Sequence, residues 1–145
     1  MSLLLAAHFA ITWALVGLIW VIQTVHYPLM AWVGQAERQR YQLQHVSRMG
    51  RLVIPLMLSE AFLTVYLCFT STSLTHPWLA WLGAALLLIV WAVTGAFSVP
   101  AHNKLVSDVP SQALANLVST NWIRTIAWTG RGVVALFMAM PSPIT

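Results

Sequence analysis

Charged side chains are scarce in this sequence. Asp, Glu, Lys and Arg make up 7% of the 145 residues, whereas hydrophobic residues make up 59%. A soluble domain usually carries about a quarter charged residues, so this composition argues against an ordinary soluble fold and indicates an integral membrane protein. The length allows one membrane domain and no separate soluble domain, and the lipid bilayer is the expected partner.

Cysteine and acidic residues are also rare. Cys68 is the single cysteine, which excludes an internal disulfide and a cysteine-based metal cluster. Three acidic residues stand against seven Lys and Arg, giving a net charge of +4. Such an excess raises the question of nucleic acid, but the basic residues form no dense cluster with aromatic side chains. We therefore expect no nucleic-acid partner.

Four apolar stretches are long enough to cross a hydrocarbon core about 30 Å thick. The sequence predicts membrane spans at about 3–25, 51–69, 78–98 and 119–140. A signal peptide is the competing interpretation of the first stretch, but this stretch begins without Lys or Arg and is too long for an h-region. We expect an all-α fold, an antiparallel four-helix transmembrane bundle with short connectors.

Prolines and polar stretches predict where the helices end. Pro28 is expected to end the first span and Pro100 the third. The polar stretch 29–50 is expected to form a short interfacial helix that runs into the second span. The stretch 70–77 is expected to be a short turn, and 101–110 a polar connector.

The last span begins with the sequence STNWIRTIAWTGR at 119–131, which is unusually polar for a membrane segment. Asn121, Arg124, Trp128 and Arg131 are spaced three, four and three residues apart, which places them on one helical face. Unpaired guanidinium groups are costly within a membrane. Other spans must therefore supply polar groups opposite this face.

Glu60 is the expected partner of Arg131. It is the only acid in any predicted span, and both residues lie roughly 13–15 Å inside the membrane at about 1.5 Å per residue. Gly130 and Gly132 would allow close helix approach beside this pair. A purely structural role, fixing the register of the helices, is the alternative to a functional one.

A second polar level lies nearer the predicted cytoplasmic surface. It contains His26, His45, His102, Asn121 and Arg124. Three histidines at one level could bind a metal or haem, although no close His pair within one helix supports this. By contrast, His8 and His76 are expected at the outer interface.

Two short blocks carry a resemblance to known proteins: VPAHNKL at 99–105 and NWIRT at 121–125. They resemble blocks in small bacterial four-helix inner-membrane proteins and, more distantly, in the anthrone-oxygenase-like membrane family. Members of that family with a known role oxidise polycyclic anthrones to quinones without an evident cofactor. The resemblance implies a four-helix fold and places Asn103, Asn121 and Arg124 at a substrate-facing mouth.

Taken together, these features predict a membrane-embedded oxidoreductase, oxygenase-like, that acts on a lipophilic aromatic or quinone-like small molecule. His26 or His102 would be the general base on a phenolic proton. Asn121 and Arg124 would stabilise the resulting oxyanion. Beneath them, Glu60 and Arg131 would set the electric field; these six residues are the candidate catalytic set.

Two alternatives stay open. One is a membrane protein in electron transfer or trafficking that binds haem or a metal through His26, His45 and His102. The other is a non-catalytic assembly or transport subunit in which the polar stripes only pack helices. The cofactor is accordingly either none, or a haem or metal.

The distribution of basic residues predicts the orientation in a bacterial inner membrane. All seven lie in, or lead out of, the first and third connectors, which the positive-inside rule places in the cytoplasm. Both termini are then outside. Reporter fusions after Arg40 and after Lys104 should give cytoplasmic signals, and a fusion at the C-terminus an external one. A cytoplasmic C-terminus would reverse the orientation.

Overall fold

The computed structural model of the protein describes residues 2–70, 76–107 and 111–140, and within these ranges it contains helices and no strand. Helix α1 comprises Leu3–Met30 and α2 Gln35–Thr70. Helix α3 comprises Trp78–Val93, a π-helical turn Thr94–Ser98 and Val99–Ser107. Helix α4 comprises Ser111–Ala139. The predicted all-α class is confirmed.

Three of these helices are long and apolar enough to cross a membrane: Leu3–Met30, Gln35–Thr70 and Trp78–Leu105. Helix α4 is not among them, because Asn121, Arg124 and other polar residues lower its hydropathy. Its polar side chains are largely turned inward, as the buried Asn121 and Arg124 show. The low hydropathy of α4 therefore reflects what lies inside the protein.

The helices pack so that α4 contacts α1 and α3 along much of its length, while α2 contacts α1 and α3. Buried apolar side chains form three successive clusters, centred on Leu67, on Ile19 and on Leu117. The outward surface is also apolar: large hydrophobic side chains are exposed on every helix, including Trp13, Phe62, Leu88 and Ile126. An exposed apolar surface of this extent suits lipid better than water.

Contrary to the prediction, Pro28 and Pro100 do not end their helices. Helix α1 continues to Met30 and α3 to Ser107. A proline inside a helix lacks an N–H, and its ring meets the carbonyl four residues earlier. In both helices that carbonyl lies in a π-helical turn, Ile22–His26 or Thr94–Ser98. The wider π turn accommodates the ring, so the helix continues.

The connectors agree in part with the sequence analysis. Helix α2 continues unbroken for 36 residues from Gln35, so the polar stretch does run into the second span. The predicted connector 101–110 is helical to Ser107, which places His102 one helical turn after Ser98. The remainder of that connector, 108–110, and most of the predicted turn, 71–75, lie outside the described residues.

Helices α1 and α4 approach closely at Gly132, as predicted for the glycines beside Arg131. A Cβ there would lie 3.2 Å from Val16 Cγ2 and 3.3 Å from Trp13 Cζ2. A Cβ at Gly130 would meet only the flexible Leu86 side chain, at 3.4 Å. The close approach therefore requires glycine at 132 more than at 130.

Gly132→Ala should lower the midpoint of thermal unfolding in detergent, because overpacking of this kind costs about 1–3 kcal/mol. Gly130→Ala is the matched control, since it makes the same change of residue two positions away in the same helix. Equal midpoints for the two variants would show that α1 does not pack closely enough against Gly132 to exclude a methyl group.

Candidate functional site

Glu60 and Arg131 form the predicted ion pair, with Arg131 Nε 2.9 Å from Glu60 Oε1 and both side chains almost fully buried. Two further donors contact the carboxylate. Thr12 Oγ1 donates to Oε1 at 3.1 Å, and Trp128 Nε1 donates to Oε2 at 3.2 Å. The negative charge is thus compensated by one cation and two neutral donors.

The remaining guanidinium nitrogens of Arg131 also have acceptors. Nη1 donates to the carbonyl oxygen of Gly83, and Nη2 donates to Thr64 Oγ1 at 2.9 Å and to His8 Nε2 at 3.3 Å. The pair and its partners Thr12, Trp128, Gly83, Thr64 and His8 are called the deep cluster below. All four helices contribute to it.

His8 lies in the interior of the protein and not at its surface. It was expected at the outer interface, but its side chain is only 4% exposed and it accepts a hydrogen bond from Arg131. The available signal was its position on the same helical face as Thr12. His8 Nδ1 is buried without a hydrogen-bond partner. Because Nε2 accepts from Arg131, Nδ1 carries the proton of the neutral ring.

Beyond Trp128, on the side of His102, lies a cavity of about 280 Å³ that is bordered by all four helices. Its walls are mostly apolar and include Leu15, Ile19, Val53 and Met57. Polar groups gather at one end. They come from Tyr27, His45, Ser98, His102, Asn103 and Arg124. This combination of apolar walls and few polar groups is typical of small-molecule sites.

The three predicted histidines do come together. The rings of His26 and His45 stack with centroids 4.2 Å apart, and those of His45 and His102 lie 5.4 Å apart. His45 and His102 line the cavity, whereas His26 lies behind His45 and does not. His26 Nδ1 is 3.4 Å from the hydroxyl of Tyr41.

The stacking bears on metal binding. Nitrogen lone pairs lie in the plane of an imidazole ring, so rings stacked at 14°, as in His26 and His45, do not direct them at one ion. Among the described residues, no group of three or more His, Cys, Asp or Glu is placed to hold a metal. The arrangement therefore does not support the predicted metal site of His26, His45 and His102.

Gln42 fixes the orientation of His102. Its side-chain nitrogen Nε2 lies 2.6 Å from His102 Nδ1. With the Gln42 amide in this orientation, its nitrogen donates, so His102 Nδ1 is the acceptor and Nε2 carries the proton of the neutral ring. His102 is thereby prepared as a hydrogen-bond donor. His45, which makes no hydrogen bond to a described residue, keeps a lone pair for accepting a proton.

Among the described residues that line the cavity, Arg124 is the only Lys or Arg, and the residue is only 8% exposed. Nη1 donates to Ser98 Oγ at 3.3 Å and to Asn121 Oδ1 at 3.1 Å. Its Cζ lies 5.5 Å from the centroid of the Trp128 ring. Nε has no hydrogen-bond partner, and no carboxylate among the described residues pairs with the guanidinium.

Asn121 does not line the cavity. It is fully buried, and its Nδ2 donates to Gln23 Oε1 at 2.6 Å while its Oδ1 accepts from Arg124. Gln23 in turn donates to the carbonyl of Val118 at 3.3 Å. Asn121 therefore orients Arg124 through this hydrogen bond, from a position outside the cavity wall. Glu60 and Arg131 likewise lie outside the cavity wall.

Several cavity residues lie outside the predicted catalytic set, among them Tyr27, His45 and Ser98. His45 was predicted only as a metal or haem ligand. Tyr27 follows His26 directly, and Ser98 precedes His102 by one helical turn, so the signal for these two was their position next to predicted residues. No family model, no curated protein and no solved structure matches this chain.

The deep cluster yields a prediction about stability. Glu60→Gln should destabilise the protein strongly, because removing one partner of a buried pair costs about 3–5 kcal/mol in soluble proteins. Arg131→Met should do the same. The double variant should recover much of the loss, as measured by thermal melts of all four proteins in one detergent. Strict additivity of the two single effects would mean that the two charges do not interact.

Proposed function

We propose that the protein is a membrane-embedded oxidoreductase of the oxygenase type, which acts on a lipophilic aromatic or quinone-like molecule in the cavity. One observation carries this proposal: an apolar cavity ends at His45, His102 and Arg124. These groups supply a base, a donor and a cation, which proton abstraction with oxyanion stabilisation requires. The resemblance to the anthrone-oxygenase-like family supplies the reaction class.

The proposed setting is a bacterial inner membrane, crossed four times by an antiparallel helical bundle with both termini outside. Three helices are long and apolar enough to cross. The fourth, α4, turns Asn121, Arg124 and Arg131 inward and exposes Ile123, Ile126 and Leu136. Its outer face therefore suits lipid even though its overall hydropathy is lower.

The ligand is proposed to enter from the lipid between α2 and α3. Val46 and Ile54 of α2 and Val99 of α3 line the cavity and are also exposed on the outer surface. An apolar rim of this kind opens toward hydrocarbon and gives a lipophilic molecule a path that avoids water. The polar end of the molecule would then meet Arg124 and His102.

The proposed chemistry begins with a proton transfer to His45. In an anthrone-type substrate the proton leaves the methylene carbon, and the charge moves to the carbonyl oxygen. Arg124 and His102 Nε2–H would stabilise this oxyanion. Dioxygen is the oxidant: one of its atoms becomes the new carbonyl oxygen, and the other leaves as water with the two methylene hydrogens.

This assignment changes the roles given to individual residues. His45 takes the place of His26 and His102 as base, because His26 lies outside the cavity and His102 is set as a donor. Asn121 becomes a positioning residue for Arg124. Glu60 and Arg131 act through Trp128, which contacts both Glu60 and the cavity.

A haem- or metal-binding protein is the second candidate, and the proximity of His26, His45 and His102 favours it. The optical spectrum and the elemental analysis of the purified protein distinguish the two. A Soret band or a stoichiometric metal supports the second candidate, in which the three histidines would have to rearrange.

A protein that neither binds nor turns over the aromatic probe supports a non-catalytic assembly or transport subunit.

The histidines provide the test of the enzymatic proposal. With anthrone as probe, His45→Gln should lower the rate of quinone formation by about 10²–10⁴-fold, the usual contribution of a general base. The thermal midpoint should change little, since His45 makes no hydrogen bond to a described residue. Quinone absorbance and oxygen uptake measure the rate.

His76→Gln is the matched control, because His76 is exposed and distant from the cavity wall. It should leave both rate and stability unchanged. Turnover that His45→Gln leaves intact contradicts the base role. If the thermal midpoint of His45→Gln falls together with the rate, the role of His45 is structural.

A further inference from the structure

We infer that the cavity binds its ligand as an oxyanion, a carboxylate or phenolate on an apolar body, with the negative charge placed on Arg124. This inference rests on the ligand cavity of the proposed function and adds the charge and chemical class of the ligand. It is carried by the side chains around Arg124.

The two arginines of the polar face of α4 differ in one respect. Arg131 has a carboxylate partner, Glu60, at 2.9 Å. Arg124 is almost as deeply buried, yet its hydrogen bonds go to a hydroxyl and an amide oxygen, both neutral. Among the described residues Glu60 is the only buried acid, and it pairs with Arg131 and not with Arg124.

A buried cation without an anion is costly, because neutral partners replace its hydration only in part. The face of Trp128 and the dipoles of Ser98 and Asn121 lower this cost without removing the charge. An anion delivered by a ligand would remove it. Arg124 therefore favours a negatively charged ligand over a neutral one of the same shape.

The charge around Arg124 favours an anion. Among the described residues, no Asp or Glu lines the cavity. Tyr27, Ser98 and His102 provide hydroxyl and imidazole donors at the same end, and His102 presents Nε2–H because its other nitrogen faces Gln42. An oxyanion in this position would find a cation and several donors.

The rest of the cavity limits the body of the ligand. A volume of about 280 Å³ is just below the range of about 300–1,000 Å³ for small-molecule sites, and the walls are mostly apolar. A few fused rings fit this description, and so does a single acyl chain. The shared chemistry is an oxyanion on a hydrocarbon body, and its source is either an aromatic acid or phenol, or a fatty acid from the membrane.

The experiment measures the binding of four probes to the full-length protein in nanodiscs of neutral lipid. 2-Naphthoate and 2-naphthamide have the same ring body but differ in charge. 4-Nitrophenolate is a phenolate whose absorption band reports ionisation when bound, and dodecanoate represents a fatty acid. The variants are Arg124→Gln and Arg124→Lys, with Arg51→Gln as the control that removes one exposed cation.

Wild-type protein should bind 2-naphthoate more tightly than 2-naphthamide, and 4-nitrophenol should bind as the phenolate. Arg124→Gln should weaken naphthoate binding roughly 10- to 100-fold, the loss of one hydrogen bond to a charged group, and leave naphthamide binding nearly unchanged. Arg124→Lys should keep part of the preference for the anion, and Arg51→Gln all of it. Without probe, Arg124→Gln should be at least as stable as wild type, because it removes an uncompensated charge.

The outcomes separate the two proposals. Tight binding of naphthoate with weak binding of dodecanoate identifies an aromatic ligand, and the reverse order of affinities identifies a fatty acid. Both results support the oxyanion inference. Equal affinities of wild type for naphthoate and naphthamide overturn the inference and leave the lipophile-binding cavity intact. Binding of none of the four probes overturns the cavity's proposed function as well. If Arg124→Gln does not fold, the naphthoate–naphthamide ratio in wild type and Arg124→Lys decides.

Discussion

The ion pair between Glu60 and Arg131 is the interaction on which the arrangement of the helices depends. Both side chains are almost fully buried, so an unsatisfied charge there would be costly. Thr12 and His8 reach it from α1 and the carbonyl of Gly83 from α3. A rotation or shift of any helix by one residue would break at least one of these bonds. The pair therefore specifies a single register among helices whose apolar surfaces alone would fit in several.

Trp128 transmits this register to the cavity. Its indole N–H is bonded to Glu60, its ring lies under the guanidinium of Arg124, and its surface forms part of the cavity wall. The orientation of Arg124 is thus set by two contacts. Its guanidinium lies over the Trp128 ring, and its Nη1 donates to Asn121 Oδ1. A change that moves Trp128 within the deep cluster would therefore also change the shape of the cavity wall.

Much of this arrangement could be predicted from sequence, because burial of charge imposes simple rules. The spacing of Asn121, Arg124 and Arg131 revealed one polar face, and Glu60 was the only acid available to it. The continuation of α1 and α3 past Pro28 and Pro100 could not be predicted, because it depends on π turns that hydropathy does not encode. The inward position of His8 was also missed, since a single histidine near a span end suits either an interface or a core.

The two buried arginines of α4 have similar sequence contexts and different roles, and the difference lies in their partners. Arg131 has its hydrogen bonds and its counter-ion supplied by the protein, so a ligand would add little to its compensation. Arg124 has neutral partners, an unbonded Nε and a cavity beside it. Burial of Arg124 has a desolvation cost that its neutral partners offset only in part. A ligand that brings a negative charge to Arg124 would offset the remainder. The incomplete compensation of a buried charge next to a cavity is therefore the observation on which the proposed role of Arg124 in ligand binding rests.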